Sequence, residues 1–70
     1  MLARLRAWHA HRTALRRDAG RLVTTIGLDA ALMAGRATWA DEYARFARLA
    51  ARCERDLSGV DGATRRGIAD

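Results

Sequence analysis

Apolar residues at Trp39, Tyr43, Phe46, Ala50, Cys53 and Leu57 step by four and three along residues 38–57. Residues so spaced return to one side of an α-helix. Arg45, Arg48, Arg52 and Arg55 repeat with the same kind of step on the other side, so a narrow apolar seam is backed by a basic ridge. A lone helix cannot bury its own seam. The cover must come from elsewhere in the chain or from another molecule, and this requirement shapes everything else the sequence can do.

A second seam, Met1, Leu5, Trp8, Arg12, Leu15, Ala19, Leu22 and Ile26, has the same steps and predicts a helix over residues 2–26. Arg12 lies within that seam, where a long side chain can bury its stem and send its charge outward. Gly20 costs about 1 kcal/mol of helix propensity against alanine unless a neighbour packs there, and Thr24 and Thr25 loosen the end further. Gly27 is a natural stop, able to take positive φ after the last turn. Over residues 28–35, Asp29 suits an N-cap and Gly35 a C-cap, so one or two helical turns are expected. Leu28, Leu32 and Met33 there would plug the open end of a hairpin. Thr38 is the expected N-cap of the organising helix, with Asp41 and Glu42 near its positive end. Three glycines break the period after Leu57, and residues 58–70 read as a Gly-rich tail. The expected fold is all-α: an antiparallel helical hairpin of two long helices and a short helical connector over residues 1–57, followed by a flexible C-terminal tail.

Seventy residues, half of them hydrophobic, make at most one domain, near the size at which a single core barely outweighs chain entropy. The single cysteine, Cys53, cannot form an internal disulfide. Partner binding or self-association is the remaining way to stabilise such a chain. No run approaches the ~18 apolar residues of a membrane span, and the amino terminus lacks a signal peptide's apolar core, so a cytoplasmic location is expected. All thirteen basic residues are arginine. Residues 1–27 hold six of them against Asp18 alone, whereas residues 28–70 hold seven against seven acids, so the net charge of +5 sits in the first segment.

No residue set has the pattern of a catalytic or cofactor site, and an enzyme is not expected. His9 and His11 are two apart and point to different faces of a helix, unlike the i, i+4 pair of a helical zinc site, so no metal is expected. Cys53 lies on the seam, where burial silences a thiol. Trp8, Trp39, Tyr43 and Phe46 all occupy seam positions; they are core residues, or anchors for a partner if surface remains open once the hairpin closes. Interleaved with arginine, they could also stack bases. Arg6, Arg12, Arg16, Arg17 and Arg21 make the better polyanion-binding set, and charge alone does not separate nucleic acid, an anionic membrane surface and an acidic protein.

The stretch from Leu22 to Met33 resembles a bacterial helix-turn-helix, in which a glycine, a hydrophobic and a polar residue follow one helix and an apolar residue six positions later anchors the next. Gly27, Leu28, Asp29 and Met33 match, while Val23 stands where a small residue is usual. The resemblance covers about twelve residues and implies DNA binding through the second helix. The functional expectation is a non-enzymatic helical assembly module or accessory subunit whose seam is completed by a protein partner or a homo-oligomer. Nucleic-acid binding is the alternative, and an interfacial membrane helix over residues 1–26 a further one.

Overall fold

The structure is a computed structural model that describes the backbone of residues 2–69 and the side chains of residues 2–59. It is all-α. Helix α1 spans Leu2–Ile26, α2 spans Leu28–Thr38, a 3₁₀ turn occupies Ala40–Glu42, and α3 runs from Tyr43 to Ala69. A single residue joins the first two helices. Gly27 adopts φ 86, donates its N–H to the Val23 carbonyl at 3.1 Å and accepts from Ala31 at 2.9 Å. That left-handed backbone is open to glycine and strained for other residues, so the stop expected at Gly27 is where the chain reverses.

The connector is longer than its local propensities suggest. Helix α2 passes through Gly35 rather than ending there, and the Trp39 N–H closes it on the Gly35 carbonyl at 2.7 Å. Gly35 is buried because the Phe46 ring of α3 lies directly on it; a Cβ at that position would overlap the ring. Glycine here is a requirement of close packing, not of a cap. Thr38 therefore ends α2, and Trp39 leads into the 3₁₀ turn, where the Glu42 N–H donates to the Trp39 carbonyl at 2.9 Å.

The core is built from Leu15, Ala19 and Val23 of α1, Ala31 of α2, and Phe46 and Ala50 of α3, with Leu22, Leu28, Leu32, Leu49 and Cys53 packed around it. Gly20, a weak point by propensity, faces Cys53, whose Sγ would stand 3.5 Å from an added Cβ. That is ordinary van der Waals contact, so α3 packs beside this position without requiring a glycine there. Thr24 contributes a local brace, donating its hydroxyl to the Gly20 carbonyl at 2.8 Å.

The hairpin is closed through α2. From Gly27 that helix returns along α1 until Trp39 meets His11, ring centroids 5.6 Å apart and nearly edge-on. The chain then reverses again, and α3 climbs past Phe46 on Gly35 to Cys53 beside Gly20. The contacts His11–Trp39 and Gly20–Cys53 advance together, so the antiparallel pairing expected of the two long helices is instead that of α2 with each of them, and α1 and α3 share a direction because the connector is itself a full limb. The C-terminal tail continues from this body on helical backbone through Ala69. The chain contains no proline, and glycines alone do not forbid a helix.

Candidate functional site

Helix α2 has eleven residues, a rise of about 16 Å, so it covers only the second half of α1. The first turns of α1 extend beyond it. Residues 2–10 are all exposed, including the seam residues Leu5 and Trp8 and their neighbour Leu2. Among the described residues Trp8 is stacked by Arg12, whose guanidinium carbon sits 5.4 Å from the ring centroid. Arg12 thus keeps its charge in water although it occupies a seam position.

Beside α3, along Trp8 to Leu15, the two helices α1 and α3 enclose an open crevice of about 560 Å³. Its basic lining is Arg12 from α1 and Arg45, Arg48, Arg52 and Arg55 from α3. Trp8 and Leu49 supply an apolar floor, with the buried Leu15 beneath it. Among the described residues one ion pair forms, Arg45 with Glu42 at 3.4 Å, and it is partly exposed. The partner of Arg45 is Glu42, three residues before it. Asp56 lies exposed one turn beyond Arg52 without a salt bridge to it.

The four aromatic residues divide by role. Phe46 is fully buried against Gly35 and offers no surface to a partner, so it belongs to the core and not to the anchor set. Trp39 and Tyr43 are half-buried at the turn between α2 and α3, where His11 meets the Trp39 ring and the Arg36 guanidinium carbon lies 5.8 Å from the Tyr43 centroid. Trp8 is the one left substantially open. Leu2 and Leu5 join it, in addition to the aromatic anchors expected from the sequence.

The polyanion set also divides. Arg6, Arg12, Arg16, Arg17 and Arg21 are all exposed. At 100° per residue, Arg16 lies about 40° from Arg12, whereas Arg6, Arg17 and Arg21 lie roughly 120–180° round the helix. Arg16 lines a shallower groove beside Trp8, His9 and Arg12. Arg12 alone of the set reaches the larger crevice, and its basic neighbours there come from the α3 ridge.

The region 22–33 differs in geometry from a helix-turn-helix. That motif joins its helices by a three- to four-residue turn at a steep angle, whereas here Gly27 is the whole turn and α2 lies back along α1, with Val23 and Ala31 buried in the core. No trio of His, Cys, Asp or Glu gathers among the described residues, and no described helix is long and apolar enough to cross a membrane. No family model, curated protein or solved structure matches the chain.

Proposed function

We propose that this chain is a small, non-enzymatic helical assembly module that completes its apolar seam on another protein. The observation that carries the reading is the uncovered start of α1: Leu2, Leu5 and Trp8 are 71%, 61% and 48% exposed. Three large apolar residues on successive turns of one helix form a strip of the kind a partner helix covers. The soft nucleophile and one histidine are already engaged in packing, Cys53 on Gly20 and His11 on Trp39. Association would also stabilise a domain of this size by mass action.

Native mass measurement on the gently purified chain, with melting followed across a hundredfold dilution, tests the reading. Association gives a mass above one chain and a melting temperature that falls on dilution. A lone chain whose melting ignores dilution removes self-association, and a chain that carries no other protein when gently purified from its source removes the proposal.

Nucleic-acid binding is the second reading, favoured by the exposure of Arg16 and Arg17. It predicts affinity falling steeply with salt, with Arg16→Ala and Arg17→Ala each lowering the log–log slope by about one. Absence of any retardation of DNA or RNA at low salt would dismiss it.

A further inference from the structure

We infer that the partner presents an acidic amphipathic helix, and that this helix lies in the groove between α1 and α3 on the side α2 does not cover. The inference rests on the assembly reading and specifies the partner's chemistry. Two neighbouring helices have a groove on each side. Helix α2 packs against both α1 and α3 and fills one. The crevice is the other, because α1 and α3 residues alone line it.

Its chemistry fits a helix with one acidic flank. Arg45, Arg48, Arg52 and Arg55 step by three, four and three along α3, a rise of about 15 Å. A helix laid alongside repeats its own side chains with the same steps, so carboxylates on one flank can meet successive arginines while apolar residues reach Leu49 and Trp8. Arg12, Arg48, Arg52 and Arg55 have no ion pair among the described residues, and the exposed Arg45–Glu42 contact is of a weak kind. The arginines can therefore take new partners.

Other occupants fit less well. A second copy of this chain carries the same net charge of +5 and is repelled. A bilayer surface is flat and does not enter a concave groove between helices, whereas an interfacial helix offers a convex face. Arg12 already covers one face of the Trp8 ring, so a base has at most a single face there to stack on. Duplex phosphates match the arginines but leave the apolar floor uncovered.

The test titrates the full chain with three synthetic peptides of equal length: an amphipathic leucine–glutamate helix, its leucine–lysine counterpart and polyglutamate. A single-stranded oligonucleotide and phosphatidylserine vesicles complete the set. The leucine–glutamate helix is expected to bind, polyglutamate about tenfold more weakly, and the lysine helix not detectably. Arg48→Gln combined with Arg52→Gln is expected to weaken the leucine–glutamate helix about tenfold, with melting and helicity unchanged because both side chains are exposed.

Equal binding of the lysine helix, or indifference to the arginine substitutions, overturns the inference and leaves the assembly reading intact. Failure of the leucine–glutamate helix overturns it as well, and the native mass then decides the assembly reading separately. Tighter binding of oligonucleotide or vesicles, lost in the same double variant, also overturns it by giving the crevice a different ligand.

Discussion

The two halves of α1 carry one seam with one period, yet they meet opposite surroundings. Leu15 and Ala19 are sealed beneath α2 and α3, while Leu5 and Trp8, the preceding residues of the same series, face water. Intrinsic helix preference does not distinguish the halves, since leucine and alanine are strong helix formers throughout. The length of α2 does. Eleven residues folded back from Gly27 reach His11 and no farther, so the core stops where its cover stops. A short middle helix thus turns one uniform seam into a folded half and a binding half.

Phe46→Ala should have the largest effect on this contrast, because the fully buried ring fills the junction of all three helices beside Gly35. A loss of about 3–5 kcal/mol is expected, comparable to the whole stability of a small domain, and circular dichroism should show the cooperative melt abolished. A paired truncation in α1 tests the contrast itself. Leu15→Ala should cost about 2–5 kcal/mol, whereas Leu5→Ala should leave the isolated chain within about 0.5 kcal/mol of wild type in denaturant melts. Similar costs at both positions would remove the distinction between the halves.

Two helical glycines sharpen the account with opposite signs. Gly35→Ala should destabilise by about 1–3 kcal/mol, since its Cβ meets the aromatic ring and either α2 or Phe46 must move. Gly20→Ala should be neutral or stabilising by up to about 1 kcal/mol, because Cys53 stands at ordinary contact distance and alanine is the better helix former. Melting temperatures of the two variants in one buffer give the comparison directly.

These glycines also mark what could be read in the sequence. Both long helices were legible because their seams repeat over many turns, and Gly27 was legible because its role is local. Gly35 was not. By propensity it suits the end of a short helix, and only a contact with Phe46, eleven residues along the chain, keeps it in the middle of one. That extra turn of α2 sets the direction of α3, and with it the meeting of Arg12 with Arg45, Arg48, Arg52 and Arg55. The period of the arginine ridge was visible in the sequence. Its convergence on Arg12 and Trp8 depended on a helix length that local residues do not determine.

Hydrogen exchange along α1 in the isolated, dilute chain tests the central claim most directly. Amides of residues 15–23 should exchange only with global unfolding, and those of residues 6–10 at least about a hundredfold faster through local opening. Uniform protection from residue 6 to residue 23 in a chain shown to be monomeric would contradict it.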